Sequence, residues 1–151
     1  MKIRALSDAL AVTRQSFPVD TREGQVCAYV FDRLETLKAH FDSLTLGAVS
    51  TALKWSGDAE GRKAIVKALD SLTYGRVQIF ERRYELWSDD SSAILDHPIC
   101  ELSDEDIRDA LSNNYLIVNG EKVHSFLDRI TVVYVVTDIA HQLADAKDAT
   151  E

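Results

Sequence analysis

Apolar residues recur at Val26, Val30, Leu34, Leu37, Phe41 and Leu44, in steps of four, four, three, four and three. Such steps return to one face of a helix at every turn. Tyr29 and Phe31 widen the stripe, while Asp32, Arg33, Glu35 and Lys38 fall away from it. Asp20 or Thr21 can cap the start, with Glu23 placed three residues after Asp20 as a capping box requires. The spacing therefore predicts a helix from about Thr21 to about Ser43. A short helix over 7–16, capped by Ser7 and closed by Pro18, is expected before it. Thr45 caps a third, Leu46 to Trp55, with Leu46, Val49, Ala52 and Leu53 inward. Ser56-Gly57-Asp58 breaks that helix and starts a fourth, about Ala59 to Leu72, which buries Ala64, Ile65, Ala68, Leu69 and Leu72. Gly75 ends it.

The pattern then changes from helical to extended. Val77 to Phe80 and Tyr84 to Trp87 read as two short strands around Glu81-Arg82-Arg83, or as one long bent strand. Ser103 with Asp106 matches a helix cap, opening a helix that buries Ile107, Ala110 and Leu111 and stops at Asn113-Asn114. Tyr115 to Val118, the turn Asn119-Gly120 and Glu121 to Ser125 form a hairpin, because both turn residues tolerate positive φ. A strand over Ile130 to Thr137 and a helix from Asp138 to Ala146, using Ile139 and Leu143, close the chain. The expected class is α+β in a single domain, residues 1–151: a helical N-terminal half, a small antiparallel sheet and a C-terminal helix.

Composition changes this picture little, but charge does. A length of 151 residues supports a core without disulfides or metal. Cys27 and Cys100 have no metal-ligand or redox spacing and are expected as two buried thiols. The N-terminus lacks a continuous apolar stretch, and no run approaches a membrane span, so a cytoplasmic location and no membrane partner are expected. The net charge is −8. Residues 1–53 carry six cations and six anions, 54–90 seven of each, and 91–151 four cations against twelve anions. The back of the chain holds the whole excess and would repel a polyanion.

Candidate chemistry is sparse. His40, His97, His124 and His141 share no helix face with one another or with a cysteine and read as surface or packing residues. Asp89, Asp90, Asp96, His97 and Glu101 form the one carboxylate cluster that could hold a divalent cation for hydrolysis, without an accompanying nuclease or protease motif. The six glycines are scattered and build no phosphate loop, so no cofactor and no catalytic residue is expected.

Residues 21–87 resemble a winged helix-turn-helix in element order: a long helix, a short one, the turn Ser56-Gly57-Asp58, a helix, then a charged hairpin with an aromatic and apolar return, Tyr84 to Trp87. The resemblance covers under half the chain and implies a nucleic-acid-binding regulator, with double-stranded DNA as partner. Lys54, Arg62, Lys63, Lys67, Arg76, Arg82 and Arg83 are then the cations that meet phosphates, and Arg62 or Lys63 can reach a guanine edge. From 54 to 83 these seven cations face four anions, a net +3.

A second expectation rests on the acids. Glu101, Asp104, Glu105, Asp106 and Asp109 can form a docking face for a basic protein partner, as in an adaptor or inhibitor of bacterial defence, toxin-immunity or phage type. First-turn acids also favour a helix dipole without any partner. A homodimer is compatible with either expectation.

Overall fold

The computed structural model describes residues 3–87 and 99–146. Its elements run α1 (Leu6–Ser16), α2 (Arg22–Leu37), β1 (Ser43–Leu44), α3 (Leu46–Ala52), α4 (Ala59–Tyr74), β2 (Phe80–Leu86), β3 (Cys100–Leu102), α5 (Asp104–Asn113), β4 (Leu116–Val118), β5 (Glu121–Val123), β6 (Ile130–Val136) and α6 (Asp138–Asp145). This is the mixed α+β class expected: a helical N-terminal half, a four-stranded sheet in the order β1-β6-β2-β3, and a closing helix. β1 runs antiparallel to β6 and β2 antiparallel to β3. β4 and β5 form a separate hairpin.

The chain divides into two compact units. Residues 1–81 and 134–151 make the first, and residues 82–133, lying between them in the chain, make the second. The end of β6, from Tyr134, and α6 thus belong with the N-terminal helices. The charge follows the same division. The first unit has twelve cations against fourteen anions, a net −2, and the second five against eleven, a net −6.

In the first unit the core gathers Val26, Val30 and Leu34 of α2, Ile65, Leu69 and Leu72 of α4, and Ile79, Phe80 and Tyr134. The edge of the Phe80 ring meets Phe41 at 6.3 Å and Tyr134 at 5.9 Å between centroids. Each such pair contributes about 0.5–1.5 kcal/mol beyond its area. The Nε2 of His141 bonds the carbonyl of Phe41 at 2.8 Å and fastens α6 to the same cluster. Cys27 is buried as expected, and burial with the nearby Glu23 carboxylate pushes its thiol up to about 12. A thiol held protonated in this way is a core residue.

Several boundaries differ from the sequence expectation, each for a local reason. α1 starts at Leu6 with Ala5, not Ser7, at its N-cap. Thr21 caps α2 by accepting the Gly24 N–H at 3.0 Å, so Asp20 and Glu23 form no capping box. α2 stops at Leu37, not Ser43, because Lys38 turns to φ 51°. Phe41 and Leu44 stay buried, but from extended backbone, with Leu44 opposite Tyr134 in the sheet. α3 ends at Ala52, and Lys54 at φ 61° turns the chain before Trp55. Glu81-Arg82-Arg83 is continuous strand within β2, so no hairpin turn forms there. β6 lies next to β2 in the sheet.

The second unit has its own small core of Leu86, Leu102, Ile107, Ala110, Leu116 and Phe126. Ser103 and Asp106 form the expected capping box on α5, and Asn114 ends the helix at φ 65°. Asn119 at φ 52° and Gly120 at φ 82° make the expected tight turn between β4 and β5. Leu111 is 51% exposed, against expectation, because α5 turns Ile107 and Ala110 inward. In α6 the expected apolar face is likewise displaced. Ile139 is 62% exposed, Leu143 is half-buried, and the small Ala140 and Ala144 are the buried pair. Cys100 is half-buried rather than buried.

Candidate nucleic-acid interface

α4 is anchored at its start through Asp58. Asp58 caps it by accepting the N–H groups of Glu60 and Gly61 at 3.1 and 3.2 Å. The same carboxylate takes an ion pair from Arg22 at 2.8 Å, and the Arg22 guanidinium also lies over the Trp55 ring at 5.4 Å. The Gly61 N–H, followed by Arg22, holds the Asp58 carboxyl below the ordinary carboxylate range. The α3–α4 turn is thereby tied to the first turn of α2. Gly61 fits closely here: a Cβ on it would lie 3.0 Å from Cβ of Trp55, which would have to give by a few tenths of an ångström. The inner face of α4, Ala64, Ile65, Ala68, Leu69 and Leu72, is buried as its spacing predicts.

That anchoring fixes what α4 shows to solvent. Arg62, Lys63 and Lys67 are all exposed. At about 100° per residue they span roughly 140° of the helix surface, opposite the buried stripe. Lys63 has Glu60 at 3.6 Å, an exposed pair of small energetic weight. Lys54 is exposed in the α3–α4 turn, and Arg76 is exposed in the segment after α4. Farther along α4, Asp70 accepts the Tyr134 hydroxyl at 2.7 Å. Five of the seven cations expected to meet nucleic acid therefore lie in the first unit, three of them on one arc.

The other two are placed differently. Arg82 and Arg83 are half-buried in β2 rather than on a wing turn. The Nε of Arg82 donates to Asp104 at 3.3 Å, and its guanidinium stacks over Tyr84 at 5.6 Å. Burial, then the hydrogen bond with Asp104, raises the Tyr84 hydroxyl above its ordinary value. Arg82 and Asp104, expected at two opposed docking faces, are partners of each other.

The remaining acids have mixed roles. Glu105 and Asp109 are exposed on α5, while the Asp106 carboxylate accepts the Ser103 N–H at 3.0 Å. Glu101 stands directly opposite Glu85 across the β2–β3 pair, and burial, then Glu101, raises the Glu85 carboxyl. Of the carboxylate cluster considered for a metal, Asp89, Asp90, Asp96 and His97 lie outside the described residues. Among the described residues no group of three or more His, Cys, Asp or Glu could hold a metal ion. His40 and His124 are exposed, with the His124 ring 6.2 Å from Tyr115. No helix among the described residues is long and apolar enough to cross a membrane.

Two residues of this candidate site escape a reading of the sequence. Arg22 acts on a partner 36 positions away, which local pattern does not reveal. Val66 lies on the cationic arc at 41% exposure, and its one available signal is that it falls outside the 64, 65, 68, 69, 72 stripe. No protein-family model, no curated protein and no solved structure matches the chain.

Proposed function

We propose that this chain is a non-enzymatic nucleic-acid-binding module of winged helix-turn-helix type, with α4 as its recognition helix. The observation that carries this reading is the exposed arc of Arg62, Lys63 and Lys67 on the second helix of an α3–turn–α4 pair. A recognition helix must present donors outward while its other face is locked in a core. The element order supports the reading: α2, β1, α3, α4 and β2 follow one another, and β6 lies beside β2 where a return strand belongs. The division of charge supports it too, since most of the acidic excess lies in residues 82–133.

The test is fluorescence anisotropy of a labelled random-sequence duplex titrated at a series of salt concentrations. Three phosphate contacts give a log–log salt slope of roughly −3. Reversal of Lys63 and Lys67 to Glu should lower affinity at every salt concentration and flatten the slope by about two. Absence of binding at low salt refutes the reading. The exposed Glu105 and Asp109 in a unit of net −6 favour a second reading, an acidic adaptor or inhibitor for a basic protein. That activity should survive the double reversal.

A further inference from the structure

The arc on α4 is not purely ionic. Ala59, Arg62, Lys63 and Val66 are all exposed and share about 100° of helix surface in its first two turns. Val66 sits one turn after Arg62 and Lys63, with Lys67 beside it. It falls outside the buried stripe, and Lys or Glu would serve a merely solvated position with better helix propensity. Val66 therefore shares its arc with Arg62, Lys63 and Lys67, while Asp70, one turn farther on, accepts the Tyr134 hydroxyl; it stands at the level where a recognition helix meets base edges.

We infer that Val66 reads the 5-methyl group of a thymine in the major groove of duplex DNA. This rests on the nucleic-acid-binding reading above. Complementarity of charge selects the occupant: Arg62, Lys63 and Lys67 draw a polyanion onto this face. An aliphatic side chain among them finds one apolar group on a major-groove edge, the thymine methyl. RNA does not satisfy the same face, since its major groove is too narrow for a side chain to read and its uracil lacks the methyl. Arg62 or Lys63, one turn away, is placed for an adjacent guanine.

The experiment uses the full chain and a pool of random-sequence duplexes. Duplexes retained through successive rounds of binding are sequenced, and the enriched one is remade with deoxyuridine in place of thymidine. Pairing is kept and only the methyl groups are lost. Removing one buried methyl should weaken wild-type binding about fourfold. Val66→Ala should bind the thymidine and deoxyuridine duplexes alike, at the level of wild type on deoxyuridine. Val66→Thr, which keeps a γ-methyl, should retain part of the preference. Far-UV circular dichroism checks that each variant is folded, as expected for an exposed position. Equal wild-type affinity for the two duplexes overturns the inference while leaving nucleic-acid binding intact, and so does a preference that persists in Val66→Ala. Binding without enrichment of any sequence overturns it as well. Failure to bind any duplex at low salt is a different result, and removes the functional reading together with the inference.

Discussion

Two glycines in helices should respond to alanine in opposite directions. Gly24 is the third residue of α2, and Gly47 the second of α3. Neither has positive φ, so alanine is allowed by the backbone at both. Helix propensity alone favours alanine by up to about 1 kcal/mol. At Gly47 nothing lies within 4 Å of the added methyl, so Gly47→Ala should gain about 0.5 kcal/mol, reduced because the position is near a helix end. At Gly24 the methyl would run into Pro18 O, with Pro18 C at 2.7 Å and Phe17 O at 3.0 Å. All three are backbone atoms, which cannot swing aside as a side-chain tip can. Overpacking of this kind costs about 1–3 kcal/mol. The upper end applies, and after the propensity gain Gly24→Ala should lose about 2 kcal/mol. Urea titration followed by tryptophan fluorescence reads this directly, since Trp55 belongs to the same unit. With a slope of about 2 kcal/mol/M, the midpoint should fall by about 1 M for Gly24→Ala and rise by about 0.25 M for Gly47→Ala. A Gly24→Ala midpoint at or above wild type would refute the close approach of α2 to the Phe17-Pro18 backbone.

Glu101→Lys should stabilise the β2–β3 pair by about 0.5–1 kcal/mol near neutral pH, since it turns a repulsion with Glu85 into an attraction. The Glu85 carboxyl is raised in the folded protein, so its protonation favours folding and the penalty in wild type fades as pH falls through that value. Urea midpoints of the two proteins should converge in acid and diverge near pH 7, and a constant difference would count against the pair. Asp58→Asn keeps an oxygen for the α4 cap but loses the ion pair with Arg22. The Asp58 carboxyl is lowered in the folded state, so the stability it supplies is present above the ordinary aspartate value of about 4 and lost as pH falls below it. Wild type should therefore exceed Asp58→Asn in thermal midpoint near neutrality and lose that lead in strong acid. A lead that persists at low pH would show that the charge is not the cause.

Local signals carried the helices well. The α4 stripe, the Ser103 capping box and the Asn119-Gly120 turn each need only neighbouring residues, and each forms as its spacing implies. What escaped depends on residues far along the chain. Leu37, Phe41 and Leu44 keep helical spacing, yet Leu44 belongs to a strand because Tyr134, ninety positions later, stands opposite it. Hydropathy put Ile139 inward on α6, whereas the fold buries Ala140 and Ala144, where small side chains permit close approach. The cationic arc was legible as a set of charges on one predicted helix. The pairing of Arg82, expected on a wing, with Asp104, 22 residues away, was not.

The order in which the chain is made now acquires a meaning. α6 and the end of β6, from Tyr134, complete the first unit, yet they follow all of residues 82–133 in synthesis. A chain emerging from the ribosome can pair α2 with α4 early, but it lacks Tyr134 against Phe80 and the His141 bond to Phe41 until those later residues appear. Closing the first unit means closing a long loop, whose entropic cost grows only slowly with length and falls further if the loop has already folded. A second unit that folds first shortens that loop and so lowers the cost of completing the first.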